Sequence, residues 1–273
     1  MNFQCGKHLL GLDRPHIMGI VNVTPDSFSD GGRYTSVDLA VVHALQLVAD
    51  GADILDIGGE STRPGVEPVS LAEELARVIP VIQALALAVP VPISIDTYKP
   101  EVMRLAIEAG ASMVNDVQAL RMPGALDVVA NSAAGVCLMH MQGTPQTMQL
   151  APHYDDVLSD VRGFLSERLL ALQAHGIAIE RIVLDPGFGF GKSRAHNITL
   201  LKNLQQLGDL GAPLLVGLSR KSILAAIAGD DDSQRLPASL AAAVISAMKG
   251  AKILRVHDVK ATAEALKIYS AIH

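Results

Sequence analysis

Eight short apolar runs recur along the chain, and each ends at or beside a polar residue. They are IMGIVN to Asn22, DILDIGGE to Glu60, PISID to Asp96 and SMVND to Asn115 and Asp116. The others are VCLMH to His140, RIVLD to Asp185, LLVGLSRK to Ser219, Arg220 and Lys221, and KILRVH to Arg255 and His257. Short aliphatic runs without alternation describe strands buried on both faces. A helix-length stretch separates each pair, as β-α repeats over a parallel sheet require. Ser36 to Asp50 shows the helical spacing, with Val37, Ala40, Val41, Ala44, Leu45 and Val48 apolar. Ser70-Leu-Ala-Glu73 predicts a capping box opening a helix to about Val89. Lys99 to Ala109 predicts a helix closed by Gly110, and Asp155 to Ala174 one closed before Gly176. The uncharged stretch Val78 to Ile95 is broken by Pro80, Pro90 and Pro92, and reads as a helix end followed by a strand.

Eight β-α units predict a closed (β/α)8, or TIM, barrel of the α/β class, a single domain over residues 1–273. In such a barrel, catalytic groups project from the carboxyl ends of the strands. Composition agrees, with 49% apolar residues, 3% aromatics and no Trp: a core of Ile, Val, Leu and Ala. The same scarcity of aromatics removes the stacking platforms of single-stranded nucleic-acid binders. A net charge of −6 without a Lys/Arg cluster argues against any polyanion partner. Cys5 and Cys137 are too few for a disulfide framework and read as reduced thiols. The amino-terminal segment lacks the apolar core of a signal peptide, and nothing reads as a membrane span, so a soluble cytoplasmic protein is expected.

The connections after runs one, two, five and six are the longest, and all would lie on one face. The first, VTPDSFSDGGRY, reads either as a solvated connector or as a lid with Phe28 at its tip. The second, GGESTRPG, offers Arg63 as a bidentate fork for phosphate. The sixth, DPGFGFGKS, reads as a phosphate cradle or as a tight turn over the mouth. Asp96, Asn115 and Asp185 should converge in the mouth, where three acceptor-rich groups suit a flat ligand edge bearing several N–H donors. Lys221 and Arg255 would place positive charge on the opposite arc. His257 shares a strand face with Arg255, which singles it out among the nine histidines. No zinc spacing is present, so a metal, if used, would be Mg²⁺ held mainly by substrate phosphates.

Seven segments in order resemble the bacterial dihydropteroate synthases: residues 18–32, 51–65, 94–100, 115–117, 184–193, 217–222 and 255–259. They read MGIVNVTPDSFSDGG, GADILDIGGESTRPG, SIDTYKP, NDV, LDPGFGFGKS, GLSRKS and RVHDV. The resemblance implies joining of 6-hydroxymethyl-7,8-dihydropterin diphosphate to p-aminobenzoate with Mg²⁺ as cofactor. It places Asp96, Asn115, Asp185, Lys221, Gly217 and Met139 around the pterin, with Thr62, Arg63, Arg255 and His257 at the diphosphate. Phe28, Thr62, Pro64, Phe190, Ser222 and the stem of Lys221 would line the p-aminobenzoate pocket, and Asn22 would ligate the metal. Lys221, Asp96, Asp185 and Arg255 are the residues to which it gives catalysis. No insertion follows SIDT, as in sulfonamide-susceptible forms of the family. The alternatives are a pterin-dependent methyltransferase and a non-catalytic pterin-binding protein. Apolar residues over Ser239 to Met248, with Ala261, Ala265, Ile268, Tyr269 and Ile272, predict a homodimer through the last helices.

Overall fold

The computed structural model describes residues 1–23, 36–61, 67–144, 147–229 and 235–272. Its first elements were not expected from the sequence: β1 (Asn2–Cys5) and β2 (His8–Gly11) form an antiparallel hairpin. The hairpin turns at Gly6, whose φ of +56° suits glycine.

Eight parallel strands then close a barrel: β3 (His16–Asn22), β4 (Ile54–Gly58), β5 (Ile93–Asp96), β6 (Met113–Asp116), β7 (Gly135–Met139), β8 (Ile182–Asp185), β9 (Leu214–Val216) and β10 (Ala251–Val256). Strand β10 pairs with β3 to complete the ring. The helices are α1 (Ser36–Ala49), α2 (Leu71–Ala88), α3 (Pro100–Ala109), α4 (Ala125–Ala130), α5 (Val157–Ala174), α6 (Arg194–Lys202), α7 (Leu204–Gly208), α8 (Ser222–Ala228), α9 (Leu236–Met248) and α10 (Val259–Ile272). The fold class and the eight runs match the reading of the sequence. Among the described residues, no helix is long and apolar enough to cross a membrane.

Two local expectations need correction. Pro80 lies inside α2 and does not break it. Its ring is on the exposed side, while Val78, Val81, Ile82 and Leu85 are buried. Burial of that stripe outweighs the roughly 3 kcal/mol that an internal proline costs. At Ser70 only half of the capping box forms: its hydroxyl accepts from Glu73 N, while the Glu73 carboxylate pairs with Arg77. Beyond β9, which stops at Val216, residues 217–221 form a turn leading into α8, which Lys221 opens.

Two main apolar cores result among the described residues. The larger lies between the strands and the helices. The smaller fills the amino-terminal end of the barrel with Met18, Ile54, Met113, Cys137, Val183, Leu215 and Ile253, plugged from below by Phe3, Cys5 and Leu12. A Cβ on Gly135 would stand 2.6 Å from the Phe3 ring, so that strand must carry glycine for the plug to seat. The apolar floor confines polar side chains inside the barrel to its upper half. Along one register row, Asn22, Gly58, Asp96 and Asn115 stand side by side at the carboxyl ends of β3 to β6.

Candidate active site at the barrel mouth

Below that row, Asp56 sits mid-strand in β4 with no solvent exposure. Alternation along the strand turns it into the barrel, two residues beneath Gly58. A buried carboxylate must be paired, and the partner comes from β10: Arg255 Nε donates to Asp56 Oδ2 at 2.6 Å. Arg255 Nη2 donates to Asp96 Oδ2, also at 2.6 Å. Asn115 Nδ2 adds a third donor, 3.1 Å from Asp56 Oδ2. Arg255 therefore reaches across to the acidic side, and the expectation of cations on an opposite arc is corrected for this residue. Its pairing raises its own pKa, against the burial that disfavours its charge. Burial pushes the Asp96 carboxyl up, Arg255 pulls it down, and the neighbouring Asp56 charge raises it again.

Asp56 was missed in the sequence, although a charge inside the run ILDIG is a signal that a buried partner is needed. Its neighbour-in-kind Asp116 behaves differently. That carboxylate accepts from Gln118 N at 2.7 Å and Leu120 N at 2.8 Å, holding a turn in which Ala119 and Leu120 have φ near +55°. Asp116 is thus a backbone cap, and only Asn115 of the pair faces the other polar groups.

On the far side of the mouth, Asp185 ends β8 and accepts from Gly187 N at 2.7 Å. Burial raises its pKa, opposed mainly by the charge of Lys221. The turn before α8 separates two cations. Arg220, at φ +57°, faces outward and pairs with Asp258, whereas Lys221 turns inward. The Lys221 ammonium donates to Phe188 O and stands 4.4 Å from the centre of the Phe190 ring. Burial pushes its pKa down to about 8, although the charge of Asp185 favours the ammonium.

The glycines of the sixth loop make a tight turn. Gly187 N bonds Asp185 Oδ1, Gly189 N bonds Asn197 Oδ1 at 2.8 Å, and Phe190 N bonds Gly187 O at 3.1 Å. These amides point into the protein, so the phosphate-cradle reading of this loop is withdrawn. Gly187, at φ +67°, cannot be replaced in place, because a Cβ there would meet His140 O at 1.9 Å.

The remaining candidates sit around the rim. Asn22 Oδ1 and Asp96 Oδ2 flank the slot left by Gly58, each 3.8 Å from where a Cβ would stand. A Cβ on Gly217 would stand 3.8 Å from that of Arg255, so this glycine lies directly beside the arginine stem. Met139 is buried with Val117, Met141 and Met148, against Phe190 and Tyr98. His257 bonds Ser219 Oγ through its backbone N and, at 3.1 Å, through Nδ1. Ser222 is exposed at the first position of α8. Phe28, Thr62, Arg63 and Pro64 lie outside the described residues. A further cluster, also missed, brackets the second loop. Lys99 Nζ holds Glu60 Oε2 and Glu74 Oε2 at 2.5 Å each and Val69 O at 2.7 Å.

Comparison with known proteins gives this mouth a context. Residues 18–257 match the family of pterin binding enzymes. The dihydropteroate synthase of Escherichia coli strain K12 is 53% identical, covering 96% of this chain and 93% of that protein. The solved structure of Xanthomonas albilineans dihydropteroate synthase with 4-aminobenzoic acid superposes with a TM-score of 0.94 at 54% identity, covering 99% of this chain and 97% of that one. A structure from the same organism, in complex with 7,8-dihydropteroate, gives a TM-score of 0.91 at 52% identity over 100% and 98% of the two chains.

Proposed function

The chain belongs to the pterin binding enzymes, among the dihydropteroate synthases, and on that premise we propose how its mouth makes 7,8-dihydropteroate from the pterin diphosphate and p-aminobenzoate. The observation that carries the reading is the convergence of Asp96, Asn115 and Asp185 with Arg255 and Lys221 above an apolar floor. Oxygens of the first three accept from the amino and ring N–H groups of a pterin. Lys221, Gly217 and Met139 complete that pocket, while Arg255 and His257, with Thr62 and Arg63, receive the diphosphate. Phe190, Ser222, the Lys221 stem, Phe28, Thr62 and Pro64 surround the p-aminobenzoate.

The hard oxygens of Asn22 and Asp96 beside the Gly58 slot fit Mg²⁺, and Asn22 would hold it. When bound, the ion supplies positive charge against the departing diphosphate. The bond from the pterin methylene to diphosphate breaks first, leaving a cation spread into the ring. Asp96 and Asp185 favour that cation, and Arg255 stabilises the leaving anion, all held in place before reaction. The aromatic amine then attacks the methylene and loses a proton, so no protein nucleophile is needed. The protein would work in the cytoplasm, and as a sulfonamide target. An assay with pterin diphosphate, p-aminobenzoate and Mg²⁺ should yield dihydropteroate and diphosphate, with a sulfonamide competing against p-aminobenzoate. Lack of product would refute the proposal.

A homodimer is the second part of the reading. Helices α9 and α10 expose Leu236, Ile245 and Met248, and Ile268 and Ile272, on adjacent elements. Sedimentation should give twice the monomer mass, and Ile245→Glu with Ile268→Glu should return the monomer; a wild-type monomer at micromolar concentration would reject this interface.

A further inference from the structure

The sixth loop is held by its carbonyls, and one buried cation joins two of them to the end of the preceding strand-loop. Lys192 is 3% exposed. Its Nζ donates to Gly187 O at 2.9 Å, Phe190 O at 3.0 Å and His140 O at 3.2 Å, and lies 2.8 Å from His140 Nδ1. Other side chains take the carbonyls that it leaves. Gln149 donates to Gly189 O, Tyr154 to Gly191 O, Asn197 to Lys192 O, and Lys221 to Phe188 O. Every carbonyl from Gly187 to Lys192 is therefore paired with a donor.

Four acceptors around one nitrogen select the ammonium, because a neutral amine has only two N–H groups to offer. Burial opposes that choice and pushes the Lys192 pKa down to about 7. His140 stays neutral, since burial and the charge of Lys192 push its pKa down to about 3. Its Nδ1 is then an acceptor and its Nε2 carries the proton. A buried charge of this kind is weak evidence for stability, since an apolar residue often serves as well. Its effect is geometric. By tying Gly187 O to Phe190 O across one turn, Lys192 fixes both the Phe188 carbonyl and the Phe190 ring, the two groups that hold the Lys221 ammonium.

We propose that Lys192 is a positioning residue for the synthase reaction, setting Phe190 and Lys221 in the geometry that receives the aromatic amine. It touches neither substrate, and the inference rests on the synthase reading above. The test is steady-state kinetics with both substrates on wild type, Lys192→Met and Lys192→Gln, each corrected for its folded fraction from thermal melts, with calorimetry for pterin diphosphate. Lys192→Met should raise the p-aminobenzoate KM at least tenfold and weaken pterin diphosphate by clearly less, since Asp96, Asn115 and Asp185 still hold that substrate. Lys192→Gln, which restores part of the donor set, should fall between that variant and wild type. It is read alone by the same measure if the Met variant does not fold. An unchanged p-aminobenzoate KM, or equal weakening of both substrates, overturns the role of Lys192 alone. Absence of turnover by the wild type would instead remove the synthase reading, and this inference with it.

Discussion

Truncating Lys221 to alanine is expected to lower kcat/KM by about a thousandfold while Tm stays within a few degrees of wild type. A preorganised charge in a water-poor site contributes about 10²–10³ in rate, and Lys221 also carries part of the amine pocket through its stem and its contact with Phe190. The fold should tolerate the loss. Burial pushes this ammonium down to about 8, so keeping it charged there works against stability, and the residue opens a helix without capping it. The same shift sets a pH signature. The charged form is held below about pH 8 and lost above it, so wild-type kcat/KM should fall on the alkaline side of that value. Turnover of the alanine variant within tenfold of wild type would exclude the role; a flat profile to about pH 9.5 would exclude the titration.

The second large effect is expected at Arg255, where activity and stability should fall together. Arg255→Met leaves Asp56, which has no solvent exposure, with Asn115 as its remaining donor, and deprives Asp96 of its partner. An uncompensated buried charge costs about 3–5 kcal/mol, or a Tm lower by about 10 °C in a chain of this size. Adding Asp56→Asn should restore most of that stability, because the stranded charge is gone. It should not restore turnover, because the cation facing the leaving group is still missing. Denaturant melts of the single and double variants decide the matter. A double variant no more stable than the single one would mean that the Arg255–Asp56 pair is not the source of the loss.

The strand ends were legible because a parallel barrel buries its strands on both faces. Their runs stay mostly aliphatic until the chain leaves the sheet, so Asn22, Asp96, Asn115 and Asp185 stand out as the polar residues that end them. Asp56 escaped because it lies inside its run, two residues before that signal. Lys192 escaped for another reason: in GFGFGKS the glycines suggest amides aimed at an anion, whereas the loop points its carbonyls at a cation, and sequence does not distinguish the two. The turn that carries Lys221 inward and Arg220 outward depends on one left-handed residue, which no periodicity reveals. Pro80 shows the converse, a local signal overridden by packing. Arg63 and Phe28 stand out in their loops as an anion fork and a lid aromatic, whereas the roles of Thr62 and Pro64 rest on resemblance to the family.

The hairpin beneath the barrel has a consequence for synthesis on the ribosome. Phe3 and Cys5 share one apolar cluster with Leu215 and Ile253, which are made long after them. The seam between β3 and β10 likewise joins segments far apart in the chain. Contacts of such sequence separation form slowly, since the loop between them must close first. Until the final strand emerges, the plug has no complete cavity to enter, and its apolar face waits exposed. The nascent protein should therefore depend on chaperone cover until β10 has left the exit tunnel, and acquire its floor only then.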